Sequence, residues 1–478
     1  MIFFAMRPFL LFLLPLIAYS FMLASPFKTM DDQFSIVGNP LIKDTAQWPQ
    51  LFTKGYFNDH SYYRPLANLS FMAEYKLFGL NSFFYNLDNL LIHIANAFLV
   101  WLLVSWLVSV EVGFWTALLF AIHPIQWESV ANISGRAILL STTFGLLSFI
   151  AFVKERQALA FICFAVALLC KESSAVLPGI LAVYSWLNRR SLKWLWAWAG
   201  LVAAYIWLRR HLGITEVFPW RNTQESILGF LTFLHSVLID LRLFIFPTDM
   251  HFDRSLKLFS SLDQPAVLLT IGAWLAVLFL IFFLRHRFTR LHWLALVWFG
   301  LALAPVSQII TTIGVGPGYI SMAEHFLYFA CIPVFMVIAE IFTAVKVPLL
   351  KLAGLGFLAF FFLTTAEQNI YARSELAMME RSLHFQPHNA RLQSSVGLIY
   401  ALSGKFTQAE GYFRAAVTDD PFNARYRISL GKSLCDQGRV QECLDTYDQI
   451  TEAGSLAALL RDNRRAAEAL LRNPEHIK

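Results

Sequence analysis

Residues 8–23, PFLLFLLPLIAYSFML, and the polar stretch 28–40 that follows, KTMDDQFSIVGNP, decide how the rest of the chain is read. The apolar run follows a single early cation, Arg7. A cleaved signal peptide is one reading of it. Against that, no small-residue cleavage site precedes the polar loop, and Tyr19, Phe21 and Met22 suit a retained first span. Lys28–Pro65 then becomes a large aromatic-rich loop pressed against a membrane. Asp31-Asp32 opens it and Tyr63-Arg64-Pro65 closes it.

Composition agrees with a membrane setting. Of 478 residues 15% are charged and 57% hydrophobic, where a soluble chain carries roughly a quarter charged residues. The net charge of +6 is spread over short loops, so it speaks to topology and not to nucleic acid, and no basic DNA-binding arm is seen. The five cysteines form no C-x-x-C pair, and Cys163, Cys170 and Cys331 lie in apolar runs as packing residues. No Walker loop, dinucleotide fingerprint, HExxH or GxSxG occurs.

Beyond the first loop, Tyr63–Leu80 mixes apolar positions with Asn68, Glu74 and Lys76 and is expected to lie along the interface. Phe83–Leu107 is long enough to cross, and His93 and Asn96 project from one of its faces. Trp115–Ile125 runs into His123-Pro124, where proline ends or bends a helix. Ala158–Leu169 is short and delivers Lys171-Glu172 to a depth where charge is costly. The basic turns Lys154–Arg156, Asn188–Lys193 and Arg285–Arg290 are expected on the cytoplasmic side, which requires Ile227–Phe246 not to cross fully or another piece to be re-entrant. About eleven full spans follow, with the first loop (24–82) and the C-terminus outside.

Near Glu367 charge rises and long apolar runs stop, dividing the chain into 1–366 and 367–478. Pro387 and Pro421 stand 34 residues apart, the tetratricopeptide period. Gly397, Tyr400, Ala409, Phe413 and Ala416 fit that pattern, and Leu430-Gly431, Gly438 and Tyr447 repeat it. A helix near Ser374–Phe385 and one near Leu456–Leu471 are expected as partial repeat and cap. Cys435 and Cys443 fall across one hairpin, either as two buried thiols or, outside the cytoplasm, as a bridge. The fold class is all-α: a polytopic membrane helical bundle followed by a short α-solenoid.

Charged residues at helix ends are the candidates for chemistry, because intramembrane charges tend to be paired and functional. Asp31-Asp32, Glu128 with Arg136, Lys171-Glu172 and Glu324-His325 are candidates to converge on one non-cytoplasmic cavity. Each has a plainer reading: solvated acids flanking a helix, an interfacial ion pair for Lys171-Glu172, a structural loop pair for Glu128 and Arg136, a satisfied bundle histidine for His93. Tyr63, Tyr328, Trp48, Trp127 and Trp220 are either interfacial belt residues or sugar-stacking platforms.

The ordered set Asp31-Asp32 with Ile36 and Asn39, Tyr63-Arg64-Pro65-Leu66, Gly79-Leu80-Asn81, His123-Pro124-Ile125, Glu128-Ser129-Val130-Ala131 with Gly135-Arg136, Lys171-Glu172, and Ala323-Glu324 with Tyr328 resembles the TMTC family. Those are transmembrane, tetratricopeptide-containing O-mannosyltransferases of GT-C fold. Two departures stand out: His325 occupies a place where the family usually has arginine, and the repeat array is much shorter than in animal members.

The resemblance implies an integral-membrane glycosyltransferase in a bacterial inner membrane, with first loop and repeats extracytoplasmic. It would move mannose or another hexose from a polyprenyl-phosphate carrier to a hydroxyl of a protein or glycan acceptor. Asp31 or Asp32 would be the catalytic base. Tyr63, Arg64, His93, His123, Glu128, Arg136, Lys171, Glu172, Arg209, Glu324, His325 and Tyr328 would serve substrate binding. No cofactor is assigned; a divalent metal is compatible with these residues and not required. The alternative is a non-enzymatic scaffold recruiting protein partners through the repeats, and a transporter is disfavoured by the long first loop and the lack of an inverted repeat.

Overall fold

The computed structural model describes residues 2–57, 62–214, 223–309 and 318–472, and among these the chain is all-α apart from one short ribbon. Ser255–Lys257 pairs antiparallel with Tyr319–Ser321, Leu256 opposite Ile320. Among the described residues seven helices are long and apolar enough to cross a membrane: Met6–Ala24, Ser82–Leu107, Ile133–Val153, Thr223–Leu243, Pro265–Arg287, Glu324–Ala344 and Pro348–Ala372. Leu269 is 74% and Phe283 70% exposed on the fifth of these. Apolar surface of that extent is stable only against lipid, and the chain is a polytopic membrane protein.

Against the expected count of about eleven spans, Val110–Ile122, Gln157–Cys170 and Arg290–Val306 are apolar but only 10–17 residues long; a helix of about 14 residues rises about 21 Å against a core of about 30 Å. Thr223–Leu243, which holds most of Ile227–Phe246, has 21 residues and is long enough to cross. The short elements have local causes. Val110–Ile122 starts where the Ser109 hydroxyl accepts from Val112 N–H at 3.2 Å, and it stops at His123, held extended before Pro124.

Side-chain pairs sort the helix ends into two groups. At one end Arg7 meets Glu111, Lys154 lies over Trp106 at 3.7 Å, and Arg190 reaches Glu155 at 3.5 Å. At the other, Ser25 Oγ donates to the carbonyl of Ala372, the last residue of Pro348–Ala372, at 2.9 Å. The first loop folds there into short helices at Gln33–Val37, Pro40–Lys43 and Thr45–Phe52 and the longer Pro65–Phe78. Ile36, Leu41, Leu51, Tyr56 and Phe71 bury against Ile133 and Ala137, so the loop has a core of its own.

The chain divides into two compact units, Met1–Met250 with Ser255–Ser374, and His251–Arg254 with Glu375–Lys478. Pro348–Ala372 runs on through Glu367, where the composition changes. In the second unit, Ala390–Leu402 pairs with Phe406–Asp419 and Ala424–Asp436 with Val440–Asp448. Asn389 and Asn423 cap the first helix of each pair, and Gly404 and Gly438 turn between helices at φ +72° and +78°. Gly397 lets Phe413 approach: a Cβ there would stand 2.8 Å from its ring, and Gly431 meets Tyr447 in the same way. Cys435 and Cys443 form a disulfide across the second pair, Cα to Cα 5.4 Å. The bridge, and not the pair of thiols, is what the hairpin holds.

Candidate functional site

Ser134 joins the two aspartates. It sits in the turn Ile133–Gly135 that precedes the helix Arg136–Val153. Its backbone N–H donates to Asp32 Oδ1 at 3.1 Å and its hydroxyl to Asp31 Oδ2 at 3.4 Å. Asp32 is fully buried, and its other oxygen accepts the Lys28 N–H at 3.0 Å. Burial pushes its carboxyl up to about 6, while Lys28 and the two backbone donors pull it down. Asp31 is half-buried and takes only the hydroxyl.

Tyr56 connects this pair to the cations. Its hydroxyl donates to the Ser134 carbonyl at 3.4 Å, and the Arg64 guanidinium lies 5.4 Å over its ring. Arg64 also stacks on Tyr62 at 4.3 Å and grips Glu172, Nη2 to Oε1 at 2.7 Å. Lys171, buried beside Glu172, adds a second cation to that break between helices. Tyr63 is buried and donates to the Phe52 carbonyl, while Tyr205 donates to the Tyr63 carbonyl and carries Arg209 at 5.9 Å over its ring. Asp31, Asp32, Tyr63, Arg64, Lys171, Glu172 and Arg209 thus belong to one connected region.

A second cluster pairs two dipeptides reciprocally. Trp127 Nε1 donates to Glu324 at 2.6 Å, and Glu128, buried, accepts from both the backbone N–H (3.1 Å) and Nδ1 (3.0 Å) of His325. Burial alone would raise Glu128, but the His325 charge and hydrogen bonds bring it below the usual carboxylate range. With Nδ1–H committed to Glu128, Nε2 is the edge of the imidazole left for a ligand.

Four of the candidate residues, His93, Tyr328, His123 and Arg136, bond within the bundle itself. His93 bridges Tyr328 Oη at 2.8 Å and the Ala121 carbonyl at 3.1 Å, and Asn96 also donates to Tyr328. His123 Nδ1 accepts from Ile125 N–H, so Nε2 carries the proton and donates to the Phe244 carbonyl at 3.1 Å. Arg136 is completely buried; it binds Glu74 at 3.0 Å, Asn89 at 2.5 Å and the Tyr85 carbonyl at 3.0 Å. Its donors anchor the helix Pro65–Phe78 to Ser82–Leu107. Trp220 lies outside the described residues. Ser134 and Tyr56 were not singled out from the sequence; a serine before Gly135 carries no signal of its own. Among the described residues no group of three or more His, Cys, Asp and Glu is arranged to hold a metal ion.

No family model matches the chain. It is similar to protein O-mannosyl-transferase F38B6.6 of Caenorhabditis elegans, 26% identical over 434 residues, which is 85% of this chain and 62% of that protein. It resembles protein O-mannosyl-transferase Tmtc3 of Drosophila melanogaster, 24% identical over 82% of this chain and 52% of that protein. Protein O-mannosyl-transferase TMTC3 of Homo sapiens is 30% identical over 171 residues, 32% of this chain and 19% of that protein. The chain therefore spans less than two thirds of the length of these relatives. Over most of its length the chain is similar to proteins named protein O-mannosyl-transferase.

Proposed function

We propose that the protein is a membrane glycosyltransferase that moves mannose or another hexose from a polyprenyl-phosphate carrier to an acceptor hydroxyl, of protein, on the extracytoplasmic face. The observation that carries this reading is the half-buried Asp31 carboxylate, tied through Ser134 and Tyr56 to the cation Arg64. The acceptor oxygen attacks the anomeric carbon as its proton passes to Asp31. The bond from that carbon to the phosphate oxygen breaks, and its electron pair leaves with the polyprenyl phosphate. Arg64, Lys171 and Arg209 supply positive charge for that anion. Asp32, with both oxygens taken by backbone N–H groups, holds the loop in place and leaves the base role to Asp31.

Sidedness is supported by the same geometry. The basic turns around Lys154 and Arg190 gather at the end opposite Asp31, as cytoplasmic loops do. The Cys435–Cys443 disulfide fits an oxidising compartment for the repeats. The repeats are proposed to be tetratricopeptide units that engage the acceptor protein. The test is release of polyprenyl phosphate from a polyprenyl-phosphate mannose donor by the purified protein in liposomes, with mannose appearing on a Ser/Thr-containing peptide. No release from inserted, folded protein would leave the scaffold reading in its place.

A further inference from the structure

We propose that Ser134 is the positioning residue of the transfer reaction, the group that makes one of two adjacent aspartates a base and the other an anchor. This rests on the transferase reading above. Every polar group of Ser134 is used: N–H to Asp32, hydroxyl to Asp31, carbonyl to Tyr56. The turn that presents it is rigid, because a Cβ on Gly135 would run into the Ser129 carbonyl. Lys28 closes the other side, its N–H on Asp32 and its Nζ on the Ala131 carbonyl at 2.7 Å.

The division of labour follows from which group Ser134 offers to each carboxylate. A backbone N–H cannot be moved without moving the chain, so Asp32 is immobilised. A hydroxyl on one rotatable bond holds Asp31 Oδ2 and turns Oδ1 toward the acceptor, where it receives the proton. The charged and titratable groups around Asp31 are Asp32 beside it, Lys28 behind Asp32, and Tyr56 with Arg64 beyond. None of them replaces the hydroxyl, since Tyr56 is spent on the Ser134 carbonyl.

Ser134→Ala removes the hydroxyl and keeps both backbone bonds, so the loop remains folded. In liposomes with polyprenyl-phosphate mannose, kcat should fall on the order of tenfold while KM for the donor stays near its original value. Ser134→Thr keeps the hydroxyl and should return kcat towards that of the original protein. If the alanine variant is unstable, Ser134→Cys, a weaker donor of similar size, should give an intermediate kcat. Original kcat in Ser134→Ala, with Asp31→Asn inactive, would overturn the positioning role alone. Full activity in Asp31→Asn would overturn the base assignment and this role with it.

Discussion

Arg64 in the first loop and Glu172, 108 positions later, form a two-point ion pair, Nη2 to Oε1 at 2.7 Å and Nε to Oε2 at 3.2 Å. The guanidinium fork matches the carboxylate plane, and the Tyr62 ring stacks on the guanidinium. The side chains are 13% and 22% exposed, so the pair sits largely out of water. It pins the end of the loop to the break between Gln157–Cys170 and Leu177–Leu187. An anionic substrate entering here meets a cation whose position is already set.

Removing either partner strands a buried charge. Arg64→Ala or Glu172→Ala should each lower stability by about 3 kcal/mol, read as thermal unfolding in detergent. The charge swap, Arg64→Glu with Glu172→Arg, should recover a large part of the loss. A swap as unstable as the single variants would mean that the surroundings, and not the pair, set the cost.

In the repeat unit the contact of Gly397 with Phe413 leaves no room for a side chain. Gly397→Val should force the two helices apart and cost about 1–3 kcal/mol. Hydrogen exchange in Ala390–Asp419 would rise while exchange in the bundle stays as it was. Unchanged exchange in that pair would count against the close-packed hairpin.

Asp32 gives the loop a pH response whose sign is set by burial. Its carboxyl is raised from 3.8 to about 6 in the folded protein, so the folded state binds the proton more tightly. The stabilisation is complete below about pH 4 and is lost as pH rises through about 6. The loss from this group is about 3 kcal/mol. Asp32→Asn should lack that part of the pH dependence when unfolding midpoints are compared between pH 4 and 7. Parallel curves for the two proteins would show that Asp32 does not titrate in this range.

What the sequence made legible was periodic or local. The 34-residue spacing locates Gly397, Gly431, Phe413 and Tyr447, because small and aromatic residues recur wherever two helices must meet. His123-Pro124 marks a helix end because proline restricts the residue before it. In sequence Arg136 reads as a phosphate contact or as a loop pair with Glu128; in the structure its partners are Glu74 and Asn89. Glu74 and Asn89 lie 62 and 47 positions away and leave no local trace. Ser134 was invisible for the same reason. Thr223–Leu243 is long and apolar enough to cross despite His235, Asp240 and Arg242, since burying the polar side of a helix needs only a neighbour there, and His235 finds Thr270 at 2.9 Å.

The most direct test is the turnover of Asp31→Asn, compared with the original protein in liposomes carrying polyprenyl-phosphate mannose and an acceptor peptide. Asparagine keeps the shape and still accepts the Ser134 hydroxyl, but it takes no proton. The account predicts a fall in kcat of about 10²–10⁴-fold with insertion and thermal stability retained. Turnover equal to that of the original protein, in a folded and inserted variant, would contradict it.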